Sequence, residues 1–128
     1  MRILLDTHAF LWLVTDNPKL SNRARSTFLE AENELMISAV TGFEIAVKYA
    51  LGKLELSEPP RDFMEKRIRN NALTHLPISM SHTYRLSHLA PHHRDPFDRL
   101  LISQALEEDI PILSADSIFP RYNIDVIW

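Results

Sequence analysis

Three apolar runs in this chain are too short for helices and too continuous for strands with one wet face: Ile3-Leu4-Leu5, Leu35-Met36-Ile37-Ser38 and Ile112-Leu113-Ser114. Strands of a parallel sheet, covered on both faces, read in this way. Leu73 to Ile78 is a further candidate, with Pro77 pointing to a short strand or an exposed end. Asp125 to Trp128 is a fifth. Helical patterns separate the runs, so the expected class is α/β, with helices on both faces of a mainly parallel sheet of about five strands. No linker, repeat or like-charge block interrupts the 128 residues, and one domain over 1–128 is expected.

The intervening segments carry their own punctuation. Ala9 to Val14 reads as a helical turn or two, ended by Asp16-Asn17-Pro18. Ser21 is placed to cap a helix through about Glu32, with Ala24, Phe28 and Leu29 or Ala31 turned inward. Thr41-Gly42-Phe43-Glu44 has the form of a capping box, opening a helix that stops at Gly52. Arg61 to Asn70 is amphipathic, with Phe63, Met64 and Ile68 on its apolar side. Ser81 to Leu89 is helical up to Pro91. Asp95 then caps a helix whose first position suits Pro96, because the missing N–H has no partner there anyway.

In that last helix, Asp98 shares a face with Ile102 and Ala105, and Leu101 and Leu106 flank the stripe. A carboxylate on a core-directed stripe must be neutralised, hydrogen-bonded or paired. Sites in open α/β sheets form at the carboxyl ends of the strands. Asp6 follows the first run, Glu44 lies one or two turns into the helix after the second, and Asp116 comes two residues after Ser114. Together with Asp98, these acids can meet at one edge. Clustered carboxylates repel, and a hard divalent cation removes that cost; oxygen ligands favour magnesium or manganese over zinc. Such an ion keeps waters, and so leaves room for a phosphate oxygen and an attacking water.

Each acid also has a structural reading. Asp6 and Asp116 can cap or turn the chain, Glu44 can complete the capping box, and Asp98 can pair with Arg94 or Arg99. A zinc cluster of His92, His93, Asp95 and Asp98 is disfavoured, because adjacent histidines rarely reach one metal and no thiolate is present. His93 is better placed to pack or hydrogen-bond near the helix start. No serine stands in a Gly-x-Ser-x-Gly elbow. The basic stretch Arg61, Lys66, Arg67, Arg69 is read first as a solvated face balanced by Asp62 and Glu65, and second as a phosphate-tracking surface. Lys48 and Arg99 lie nearer the acids and are better candidates for holding a substrate backbone.

Composition narrows the classes further. The net charge of −3 excludes a strongly basic nucleic-acid binder, and two glycines leave no phosphate-cradling loop. The absence of cysteine excludes disulfides and thiolate metal sites, and fits a reducing compartment such as the cytoplasm. Asp6 and His8 interrupt the N-terminal apolar run, so no export signal is read there. The longest apolar run, Ala9 to Val14, is far too short for a bilayer.

Leu4-Leu5-Asp6-Thr7-His8-Ala9-Phe10-Leu11-Trp12, Ser38 through Glu44 to Leu54, His93-Arg94-Asp95-Pro96-Phe97-Asp98-Arg99-Leu100-Leu101 and Leu113-Ser114-Ala115-Asp116 together resemble the PIN-domain family, and more narrowly its VapC-type toxins. The His93–Leu101 segment is the most specific of them. The resemblance implies a three-layer α/β/α fold and a magnesium- or manganese-dependent endoribonuclease that leaves a 5′-phosphate. It implies an acidic set of Asp6, Glu44, Asp98 and Asp116, with Thr7 and Ser114 as hydroxyl supports. It also implies tRNA or ribosomal RNA as substrate, a cognate antitoxin as partner, and a homodimer. Gly42 departs from the family, where a large apolar residue is common, and Ser114 replaces the commoner threonine.

A different class of reading keeps the fold as a binding or scaffold module without catalysis, which predicts weak or no metal binding. A phosphoacceptor receiver would need a lysine where Ala115-Asp116 follows the late strand, and a haloacid-type phosphatase would want an aspartate where His8 stands.

Overall fold

Ile3, Leu4 and Leu5 are all buried, but they serve two different layers. Alternation along the strand sends Ile3 and Leu5 into a core with Phe10, Ala24, Ile45 and Phe63, while Leu4 joins Met36, Leu101, Ile102 and Phe119 on the opposite face. Two cores of this kind need helices on both sides of the sheet, which is the expected three-layer arrangement.

The computed structural model describes residues 1–128. The strands are β1 (Arg2–Leu5), β2 (Glu34–Ser38), β3 (Thr74–Leu76), β4 (Ile112–Leu113) and β5 (Val126–Ile127). They form one sheet in the order β3-β2-β1-β4-β5. Every pairing is parallel, with Leu4 opposite both Met36 and Ile112. The order reverses at β1, so the crevice beyond β1 and β4 is the topological switch point where such sheets place their sites.

The helices are α1 (Thr7–Val14), α2 (Asn22–Leu29), α3 (Ala39–Ala50), α4 (Pro60–Asn70), α5 (Met80–Arg85) and α6 (Pro96–Glu108). No helix is long and apolar enough to cross a membrane. Several boundaries differ from the expectation. α1 begins at Thr7 because the Asp6 side chain accepts the Ala9 N–H. α2 ends at Leu29, which is 71% exposed, and Ala31 is also exposed, so neither is an inward residue. The capping box at Thr41–Glu44 does not form. Ser38 leaves β2 in extended conformation, caps α3 through Val40 N–H, and starts the helix three residues before Gly42. That shift carries Thr41 and Glu44 onto the buried side. The helix ends where Gly52 takes φ +71, a left-handed conformation that costs glycine little.

Candidate metal centre

Asp6 is 4% exposed and has a use for each oxygen. Its Oδ1 accepts from Ala9 N–H at 2.7 Å, and its Oδ2 accepts from Ser114 Oγ at 2.5 Å. The capping and site readings thus hold together for this residue. Burial pushes its pKa up, and the charge of Asp116 pushes the same way, against the hydrogen bonds from Ser114 and Ala9. Ser114 Oγ also accepts the Asp116 N–H at 3.1 Å, so one hydroxyl ties the end of β1 to the loop after β4. Asp6 and Asp116 line a cavity of about 230 Å³ with His8 and Trp12.

Asp98 enters from the first turn of α6, which Asp95 caps by accepting from Phe97 and Asp98 N–H. Its pKa rises to about 7. Burial is the main cause; the charges of Asp95, Glu44 and Asp6 add to it, and His93 opposes it. Asp98 thus feels the charges of Glu44 and Asp6, and Asp6 feels that of Asp116, so each predicted acid lies within electrostatic reach of another. Glu44 is 3% exposed; its Oε2 pairs with Lys48 Nζ one turn on, and its Oε1 has no partner. That bond to Glu44 raises the Lys48 pKa further.

Two predicted positioning residues are engaged within the protein. The Lys48 ammonium is held by Glu44. Arg99 does not pair with Asp98; its guanidinium donates to the carbonyls of Leu89, Ala90 and His93 and holds the loop before α6. In this structure it positions the loop rather than standing free for a phosphate. Thr7 Oγ1 lies 3.1 Å from Thr41 Oγ1 and joins α1 to α3. Two of the four basic residues of α4 are paired, Arg67 with Glu58 before the helix and Arg61 at 3.6 Å from Glu65.

The residue that the sequence reading missed is His93. It hydrogen-bonds near the helix start as expected, but its Nε2 also lies 2.8 Å from Asp116 Oδ2 and 3.2 Å from Asp98 Oδ2. The ligand atoms of His93, Asp98 and Asp116 all fall within 4.8 Å of one another. His92 turns away onto Tyr122. His93 stands two residues before the helix cap, outside any periodic pattern. Its place in the His93–Leu101 segment was the only signal that could have singled it out.

The donor set suits a hard cation. Asp98 and Asp116 offer ligand atoms close together, Ser114 ties Asp6 to the same loop, one buried Glu44 oxygen is unpartnered, and burial drives the Asp98 carboxyl toward its neutral form.

The ribonuclease VapC16 of Mycobacterium tuberculosis is 32% identical to this chain over 62 residues, 48% of this chain and 44% of that protein. The match thus spans less than half of that curated relative. Among solved structures, VapBC2 from Rickettsia felis bound to a DNA fragment from their promoter matches with a TM-score of 0.74 at 18% identity, over 98% of this chain and 97% of that one. VapBC-1 from nontypeable Haemophilus influenzae gives 0.69 at 18%, over 98% and 96%. A toxin–antitoxin complex from Klebsiella pneumoniae gives 0.65 at 14%, also over 98% and 96%. At these identities the likeness is one of fold. A family model described as PIN domain matches residues 3–125, almost the whole chain, and the chain therefore belongs to the PIN domain family.

Proposed function

We propose that this protein is a magnesium- or manganese-dependent endoribonuclease, the toxin of a toxin–antitoxin pair. The observation that supports the reading is the closeness of Asp98 and Asp116, with Asp6 tied to the same loop through Ser114 and Glu44 Oε1 buried and unpartnered. These four would hold the ion. When bound, it supplies a water of lowered pKa and neutralises charge developing at phosphorus.

The chain's own residues prepare that site. Ser114 holds Asp6 and the Asp116 backbone in register, while Thr7 and Thr41 join the helices α1 and α3 that follow Asp6 and carry Glu44. One of the acids, Glu44 through its unpartnered Oε1 or Asp98, would take the proton of the attacking water. Phe43 is 57% exposed and packs edge-to-face on Phe97, with ring centres 5.2 Å apart. These rings adjoin Glu44 and Asp98 in the chain and offer a stacking surface for a base of single-stranded RNA. With a net charge of −3, RNA would be held by such local contacts rather than by a basic field.

The partner proposed is a cognate antitoxin protein, and the working form a homodimer acting in the cytoplasm on tRNA or ribosomal RNA. Support comes from the PIN family membership and from the toxin–antitoxin complex among the structural neighbours.

The test is incubation of a structured RNA with purified protein and Mg²⁺ or Mn²⁺, beside Asp6→Asn and Asp98→Asn variants of intact fold. Cleavage that chelator stops, and that either variant loses, supports the reading. Cleavage that continues in chelator refutes it, and binding of RNA without metal uptake by the wild type returns the chain to the scaffold class.

A further inference from the structure

We propose that His93 is a positioning residue that clamps the Asp98 and Asp116 carboxylates together for a divalent cation, through an Nε2–H donor whose tautomer Asp95 enforces. The inference rests on the metal reading above and assigns that site a residue outside its four acids.

The direction of one hydrogen bond decides the role. Asp95 N–H donates to His93 Nδ1 at 3.1 Å, which requires a lone pair on Nδ1. A neutral imidazole carries one donor and one acceptor nitrogen, so the proton sits on Nε2. That N–H donates to Asp116 Oδ2 at 2.8 Å, and Asp98 Oδ2 lies 3.2 Å from the same nitrogen. The same tautomer leaves Nε2 without a lone pair, so His93 bonds to the ligands and not to the metal. Carboxylates from α6 and from the loop after β4 would otherwise drift apart by repulsion.

The ring is fixed well enough to act as a clamp. His93 N–H donates to the Tyr122 hydroxyl at 2.8 Å, and that hydroxyl donates to the Ala90 carbonyl at 2.7 Å. The His93 carbonyl accepts from Arg99 at 3.1 Å. The ring packs edge-to-face on buried Phe119 at 5.7 Å. Arg99 and Tyr122 thus act on the site through His93.

The experiment has two readouts, neither of them activity. Long-range ¹H–¹⁵N correlation spectra of the metal-free wild type report which nitrogen of His93 carries the proton. Calorimetric titration with Mn²⁺ and with Ni²⁺ then compares wild type, His93→Ala and His93→Gln. The Gln amide N–H₂ can reach the two carboxylates but offers a metal no lone pair on nitrogen. We expect the Nε2–H tautomer, an affinity for both ions about 10- to 100-fold weaker in His93→Ala, and affinity within about 3-fold of wild type in His93→Gln. An Nδ1–H tautomer overturns the inference. So does wild-type affinity in His93→Ala, or loss in both variants that falls hardest on Ni²⁺, the sign of a nitrogen ligand. If His93→Ala does not fold, His93→Gln decides: retained affinity supports the clamp and lost affinity overturns it. A wild type that takes up neither ion fails the metal reading itself and removes the clamp's purpose, whichever tautomer is seen.

Discussion

Replacing Asp98 by asparagine should stabilise the metal-free protein, by an amount that grows with pH. The Asp98 carboxyl is shifted from 3.8 to about 7 by burial and by neighbouring acids. Between those values the folded state keeps a proton that the unfolded chain has released. The unfolded state therefore binds fewer protons, and stability falls as pH rises through the window. A shift of about three units, at 1.36 kcal/mol each, amounts to about 4 kcal/mol above about pH 7. Asparagine has nearly the same shape and carries no charge to desolvate. Urea denaturation in chelator should show wild type and variant equal near pH 4, with the variant ahead by ~2–4 kcal/mol near pH 8. Adding Mn²⁺ at about 100 times its Kd should then raise wild-type stability by about 2.7 kcal/mol and leave the variant unmoved. Equal stabilities near pH 8, or a less stable variant, would refute the claim that Asp98 is held at an energetic cost.

Three further outcomes follow from the same geometry. Ser114→Ala leaves Asp6 Oδ2 buried without its donor, and should cost about 2 kcal/mol in denaturation and move the Asp6 titration midpoint upward by NMR. Glu108 is held below the usual carboxylate range, first by the bond from His82 and then by Arg2. Its stabilisation is present above the ordinary glutamate range and is lost as pH falls through the folded value, so Glu108→Gln should lower the unfolding temperature slightly near pH 7, since solvent screens the pair, with the gap closing in acid. Phe43→Ala should raise KM for RNA by about 5-fold or more with the unfolding transition unchanged, since the ring is largely exposed and one base stack is worth about 1–3 kcal/mol.

The sheet was legible in the sequence because a doubly covered parallel strand leaves a plain mark. Ile3-Leu4-Leu5 and Ile112-Leu113 are apolar at every position, since each alternate side chain has a core to enter. The nearness of Asp6 and Asp116 was legible because Asp6 follows β1 and Asp116 lies in the loop after β4, two strands that pair in parallel. The start of α3 was not. Ser38 looked like the last residue of a strand, and it is, but its hydroxyl also caps the helix and donates to Gln104 Oε1, 66 residues away. The contacts of Arg99 were hidden for a similar reason. A guanidinium beside an acid suggests an ion pair, yet three loop carbonyls take its donors. His93 depends on a loop folded over Tyr122 and Phe119, residues 29 and 26 positions later, and local pattern carries no trace of that return.

The most direct test of the central claim is anomalous diffraction from a crystal soaked in Mn²⁺. The account predicts a peak among the carboxylates of Asp6, Asp98 and Asp116, with Glu44 within reach directly or through water and His93 Nε2 outside bonding distance of the ion. A peak elsewhere on the protein, or none at a concentration where calorimetry shows saturation, would contradict it.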